Sequence, residues 1–217
     1  MKRINYKLSG TLILALIFSI SILRGQTSDE NKAQFGIKAG LNISNMYTKD
    51  VQDKNTIFGF NGGLFLKVPV TSNFAVQPEL LYTTKGSELT YNSFVTGKAS
   101  FTLNYVELPV LAVINLTKIV NIYGGIYIAT LTSVVVKNKS DVDLFNFENE
   151  LKKSDFEMYD WGLVGGAGLD FNKVSLGIRY EYGMKPVGKE RSFLGQSYRF
   201  PDARNSTIQI YLSISIL

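Results

Sequence analysis

Two residue types are missing altogether. Among 217 residues there is no cysteine and no histidine. Without cysteine there is no disulfide scaffold and no thiolate chemistry. Without either residue, zinc sites of the usual kind and Ser-His-Asp catalysis fall away. Charge is scarce too, 19% of the chain against roughly 25% in an average soluble domain. Proline occurs only five times. What remains is apolar bulk, with 45% hydrophobic residues, 19 glycines, 12 tyrosines and 14 phenylalanines. That composition excludes a disordered chain and supports one sizeable core, or two small ones.

The formal net charge of +5 suggests a nucleic-acid partner until its distribution is considered. Lys2, Arg3, Lys7 and Arg24 are basic, and no acid precedes Asp29. Between them, Thr11–Leu23 is an uncharged apolar run of 13 residues, short of the ~20 that a helix needs to cross a bilayer. Gly25-Gln26-Thr27-Ser28 follows, small and polar. A basic start, an apolar stretch and a small polar exit are the layout of a secretory signal peptide, expected over residues 1–26. Its removal leaves 19 basic against 18 acidic residues, so no nucleic-acid partner is expected. Residues 27–34 read as a polar lead-in.

From Phe35 onward the recurring pattern has period two, the mark of strands with two different faces. The last segment shows it well. Ile208, Ile210, Leu212, Ile214 and Ile216 share one face, and Thr207, Gln209, Tyr211, Ser213 and Ser215 the other. Seven earlier segments repeat it. The first sets Phe35, Ile37, Ala39, Leu41 and Ile43 against Lys38, Asn42 and Ser44; the fourth sets Val106, Leu108, Val110, Ala112 and Ile114 against Tyr105 and Glu107. Tight turns at 71–73, 117–119 and 172–173 alternate with long polar connections at 47–57, 86–99, 137–157 and 186–204. Short turns on one side and long loops on the other describe an outer-membrane barrel. Eight strands put both termini on the short-turn, periplasmic side. Pro78 and Pro109 fall inside the third and fourth strands, where each removes a ladder hydrogen bond and predicts a bulge.

Alternation alone does not say which face looks outward, because a soluble lipocalin-like barrel alternates too, with its apolar face around a ligand. Charge decides. No apolar face of the eight strands carries a charged residue, and a charge facing lipid at mid-membrane costs about 2–4 kcal/mol. The expected fold is therefore an all-β, eight-stranded antiparallel up-and-down transmembrane β-barrel over residues 35–217, with aromatic girdles at its ends.

Three segments carry a family likeness: Gly36-Ile-Lys-Ala-Gly-Leu-Asn-Ile-Ser44, Gln77-Pro-Glu-Leu-Leu-Tyr-Thr-Thr-Lys-Gly86 and Asn104-Tyr-Val-Glu-Leu-Pro-Val-Leu-Ala112. Together they resemble the PorT-like outer-membrane β-barrel proteins of Bacteroidetes, from about Phe35 to Leu217. The resemblance implies the outer membrane of a Gram-negative cell. It implies little about activity, because the family is defined mainly by its barrel. The chain departs from the pattern in ending Ile216-Leu217 rather than in an aromatic residue.

The charged residues of the polar faces are the candidate site. Lys38, Lys67, Glu79, Glu107, Arg179 and Glu181 should point into the lumen, which in an eight-stranded barrel is just wide enough for side chains to fill. Charges buried there must pair. The expectation is a structural salt-bridge network in which Arg179 and a lysine hold Glu79 and Glu107, rather than a carboxylate pair at acid/base work. No catalytic, metal or cofactor residue is expected. Gly162, Gly165, Gly166 and Gly168 do not spell a dinucleotide fingerprint and lie within a strand. The acidic loop with Asp141, Asp143, Glu148, Glu150, Asp155 and Glu157 lacks the calcium-loop pattern. The basic stretch of Lys185, Lys189, Arg191, Arg199 and Arg204 could touch lipid phosphates. The functional expectation is a monomeric, non-enzymatic outer-membrane barrel with a structural or loop-mediated role. Its partners are outer-membrane lipid, lipopolysaccharide and a possible protein bound through the long loops. The alternatives are a lipocalin-like carrier and a narrow porin.

Overall fold

Period-two segments form strands because alternate side chains leave opposite faces of the pleat, and eight such segments here pair into one closed wall. The computed structural model describes residues 32–47, 54–92, 96–140, 147–150, 156–188, 190–193, 196–199 and 203–216. The signal-peptide reading over 1–26, most of the lead-in, and Asp141, Asp143, Asp155 and Lys189 of the loops lie outside them. The barrel strands are β1 (Gln34–Tyr47), β2 (Ile57–Pro69), β3 (Phe74–Asn92), β4 (Thr96–Asn115), β5 (Val120–Ser140), β6 (Tyr159–Phe171), β7 (Val174–Pro186) and β8 (Arg204–Ser215). Each pairs antiparallel with its sequence neighbour. β1 then pairs with β8 from Gly36↔Ser215 to Tyr47↔Arg204, which closes the barrel. Closure matters in lipid, because an open edge would leave backbone groups without partners.

The faces point as the charge argument requires. Leu41 is 65% exposed and Ile126 58% on the outer wall, while Lys38, Glu79, Glu107 and Arg179 are all buried. This is the reverse of the lipocalin-like alternative. Phe35 and Phe74 stand toward the short-turn end, and Phe58, Phe60, Tyr82 and Trp161 toward the long-loop end, Phe60 and Tyr82 with ring centroids 6.0 Å apart.

Two expectations are corrected. The prolines produce no bulge. Pro78 pairs with Val110 and Pro109 with Tyr127 in an unbroken register. The β2–β3 pairing lapses between Phe65↔Glu79 and Val68↔Val76 and resumes in the same register. Each ring thus costs local ladder bonds and nothing more. One bulge lies instead in β5, and the β7–β8 pairing shifts register between Arg204 and Ser206. Asn104 pairs with Ser133 and Tyr105 with Leu131, leaving Thr132 unpaired; its hydroxyl donates to Asn104 O at 2.9 Å. The extra residue switches parity, so Leu131 faces inward before it and Val134 and Val136 after it.

The second correction concerns the long connections. The predicted loop 86–99 is largely strand, because β3 runs to Asn92 and β4 begins at Thr96. These two and β5 have 19, 20 and 21 residues, and the other five have 12 to 14. Lys54–Asn55 adds to the outer part of β3 and Phe147–Glu150 to that of β5. Glu190–Phe193 pairs with Gln196–Arg199 inside the predicted loop 186–204. Beyond the hydrocarbon band both faces of a strand meet water, so the ladder continues while the alternation that advertised it stops.

Tight turns close the other end. Thr117 Oγ1 accepts from Ile119 N at 3.1 Å and Val120 N at 2.9 Å, a hydroxyl-stabilised turn. Asn172 takes φ 57° in the two-residue β6–β7 turn, a region that asparagine tolerates better than most residues.

Candidate functional site: the charged lumen

Inward parity brings ionisable side chains from four strands into one cross-section. Lys38 (β1) pairs with Glu79 Oε1 (β3). Arg179 (β7) binds Glu79 Oε2 through Nη1 at 2.7 Å, and its Nε lies 3.2 Å from Glu181 Oε1. That Nε donates to Gln209 Oε1 of β8 at 2.7 Å. Gln209 Nε2 donates in turn to Glu181 Oε2 at 3.0 Å. Lys85 (β3) completes the chain, 2.8 Å from Glu181 Oε2 and 2.5 Å from Glu107 Oε2 of β4. Six of these seven contacts join residues 22 to 100 positions apart in the sequence. Barrel closure and register, not local sequence, assemble them.

Each cation also meets an aromatic face. Lys38 Nζ lies 3.8 Å from the Tyr211 ring centroid and Lys85 Nζ 4.2 Å from that of Tyr127. In a desolvated site such contacts add about 2 kcal/mol or more. Around the ions, neutral groups add further hydrogen bonds, although Glu107 Oε1, Arg179 Nη2 and Glu181 Oε1 have no hydrogen-bond partner among the described residues. Asn42 Nδ2 donates to Thr83 Oγ1 at 2.9 Å and Thr84 O at 2.8 Å. Asn61 donates to Asn42 Oδ1 at 2.7 Å. Asp160 is held by Tyr127 OH at 3.1 Å and Asn205 Nδ2 at 2.8 Å.

Apolar clusters lie on both sides of the ions. Toward the short turns, Ala75, Leu111, Val113, Tyr123, Val164 and Tyr211 pack together, with Tyr211 OH donating to Tyr123 OH at 2.8 Å. Toward the long loops, Leu103, Leu131, Val134, Phe156 and Val187 pack with Tyr105 and Tyr127. Phe156 and Val187 belong to connecting segments that fold back onto the wall. Leu131 N donates to Met158 O and Val187 N to Ala203 O, both at 2.8 Å.

Of the six residues singled out from sequence, Lys38, Glu79, Glu107, Arg179 and Glu181 meet in this network. Lys67 stands apart at the short-turn end, 3.1 Å from Asp170. Glu107 is held by Lys85 rather than by Arg179. Lys85 and Gln209 are members, and Asp160 a buried neighbour held by Tyr127 and Asn205, that the sequence reading did not single out. Their signal was parity: Lys85 lies six residues from Glu79 on the same face. In the loops, Glu157 pairs with Lys185 at 2.8 Å. Above the apolar band Glu88 is bound by Lys98 at 2.9 Å, and Ser100 donates to it at 3.1 Å. Among the described residues no group of three or more acidic side chains is placed to hold a metal ion.

Glycines make room for these large side chains. A Cβ on Gly177 would run into the Tyr211 ring, whereas one on Gly165 would meet nothing nearer than Tyr123 O at 3.8 Å. Gly177→Ala should therefore cost about 1–3 kcal/mol, the range for overpacking, and Gly165→Ala should be near silent. Urea unfolding, followed by the mobility difference between folded and unfolded bands on unboiled gels, reads both.

A closed antiparallel barrel, apolar outside and ionic within, defines a transmembrane β-barrel of the outer-membrane class. The model of one family, the outer membrane protein beta-barrel domain, matches residues 25–187, so the chain belongs to that family and to the Gram-negative outer membrane. Neisserial surface protein A has the same fold, with TM-score 0.51 at 12% identity over 85% of this chain and 99% of that one. The attachment invasion locus protein Ail of Yersinia pestis, solved with the heparin analogue sucrose octasulfate, gives 0.45 at 16% identity, over 85% and 99%. OprG of Pseudomonas aeruginosa gives 0.39 at 11%, over 85% and 94%. No curated protein sequence matches.

Proposed function

We propose that the protein is a monomeric, non-enzymatic barrel of the PorT-like type found in Bacteroidetes, with its lumen filled. Its signal peptide is cleaved and both termini are periplasmic. Its role is structural, or lies in contacts made by the long connections with lipopolysaccharide or a protein partner. The observation that carries this reading is the lumen network. Six charges on β1, β3, β4 and β7 are bound to one another between two apolar clusters. Carboxylates engaged by lysine and arginine hold a wall together; they are not poised to exchange protons with a substrate. An ion crossing this section would have to break several charge-assisted bonds at once.

Planar-bilayer recording tests the reading. The expected result is no stepwise conductance from the folded protein, and stable channels would restore the narrow-porin alternative. Trimming within the long connections, at 141–155 or 189–202, spares the barrel strands and the buried Phe156 and Val187; it should leave the barrel folded and abolish retention on lipopolysaccharide or on the partner. Retention unchanged by both deletions would remove the loop-mediated role.

A further inference from the structure

Among the described residues the short-turn rim carries a net positive charge. Its three turns are stitched to neighbouring strands through the backbone. Asn115 N donates to Asn73 O at 2.8 Å, Asp170 N to Ile119 O at 2.7 Å, and Ser215 N to Lys173 O at 2.8 Å. Ile216 N completes the circuit by donating to Phe35 O at 2.8 Å. These bonds tie the turns to the wall, so the residues at their tips form a collar around this end. Lys118 and Lys173 sit at the tips and are exposed. The carboxylate of this rim among the described residues, Asp170, is already engaged by Lys67. The opposite rim differs, because there Lys98 meets Glu88 and Lys185 meets Glu157 within the protein.

The neighbours of the two tip lysines indicate what the charge meets. Leu116 and Ile119 flank Lys118, Phe171 and Val174 flank the Asn172-Lys173 turn, and all four are exposed. Apolar side chains on either side of a lysine suit a segment lying at an interface, with the apolar groups among acyl chains and the ammonium at the phosphate level. A free phosphate in water would gain nothing from the flanking apolar groups.

We propose that the short-turn rim binds anionic phospholipid headgroups, with Lys118 and Lys173 contacting their phosphodiesters. The assignment to the periplasmic leaflet rests on the orientation given under the proposed function. The collar then fixes the depth of the barrel from the phospholipid side.

The test uses the full chain folded in phosphatidylcholine vesicles containing a trace of spin-labelled phosphatidylglycerol or spin-labelled phosphatidylcholine. Electron paramagnetic resonance reads the motionally restricted fraction of each. The expected preference for phosphatidylglycerol is about threefold, from two lysines close to an anionic surface. It should fall toward one in the Lys118→Gln/Lys173→Gln double variant and in about 0.5 M salt, and persist in Lys118→Arg/Lys173→Arg. No preference in the unmodified chain overturns the proposal. So does a preference that survives Lys118→Gln/Lys173→Gln, or one that falls equally in Lys98→Gln on the other rim. If the double variant does not fold, the salt titration of the unmodified chain decides. Orientation is read separately, by labelling Lys173→Cys in intact cells with a membrane-impermeant maleimide; the chain has no other cysteine. Labelling from outside would overturn the leaflet assignment while leaving the vesicle preference standing.

Discussion

Glu79→Ala should lower the unfolding free energy of the barrel by about 3–5 kcal/mol, the cost of stripping a buried ion pair of one partner. Glu79 accepts from Lys38 and Gln77 on one oxygen and from Arg179 on the other. Its removal leaves two cations without that carboxylate in a section where Lys38 and Arg179 are 3% and 1% exposed. Arg179 keeps Glu181 and Gln209, so the heavier loss falls on Lys38, which retains the Tyr211 face. Urea unfolding in vesicles measures the effect, and an unchanged midpoint would end the network reading. Glu107→Ala should cost less, because its removal leaves Lys85 with Glu181.

A double variant separates the cost of an orphaned charge from the worth of the pair. In Lys38→Met/Glu79→Leu both members of one bond are replaced by apolar groups of similar volume, and Arg179 still has Glu181. The loss should be smaller than for Glu79→Ala alone, since well-packed apolar replacements of buried pairs are often neutral. If the double variant is the worse of the two, the network stabilises through cooperative bonding that neighbouring contacts do not replace.

Parity made most of the wall legible from sequence. A lipid-facing position tolerates no charge, and an inward one takes Lys38, Glu79 or Arg179 without difficulty, so alternation survives wherever a strand crosses hydrocarbon. It failed where that constraint ends. Ser87 and Glu88 pair with Phe101 and Ser100 across β3 and β4 but stand above the band, and the pattern over 86–99 reads as loop. The switch at Thr132 was equally silent, because a one-residue insertion shows only when the partner strand is known. Which charges meet was legible in part. Parity sent Lys38, Glu79 and Arg179 inward, but whether Glu107 finds Arg179 or Lys85 depends on stagger between strands, which alternation does not encode. Lys85 shares the inward parity of Gln77 and Glu79, and it is the last residue before the polar stretch that begins at Gly86.

The outer wall gives the second large effect. Ile126 is 58% exposed in the barrel, and it pairs with Val110 on one side and Leu163 on the other. Ile126→Arg places a guanidinium among three strands of apolar side chains facing acyl chains. The expected cost is about 2–4 kcal/mol for a charge near mid-membrane, enough to lower assembly as well as stability. Tyr159→Arg provides the depth control. Tyr159 is also exposed on the outer wall but stands at the start of β6, where a charge should cost about 0–1 kcal/mol. Both variants are measured by urea unfolding in phosphatidylcholine vesicles. A soluble barrel with water outside would accept arginine at either position with little change. A steep difference between Ile126 and Tyr159 can come only from a solvent whose polarity changes along the strand, and in a bilayer it does.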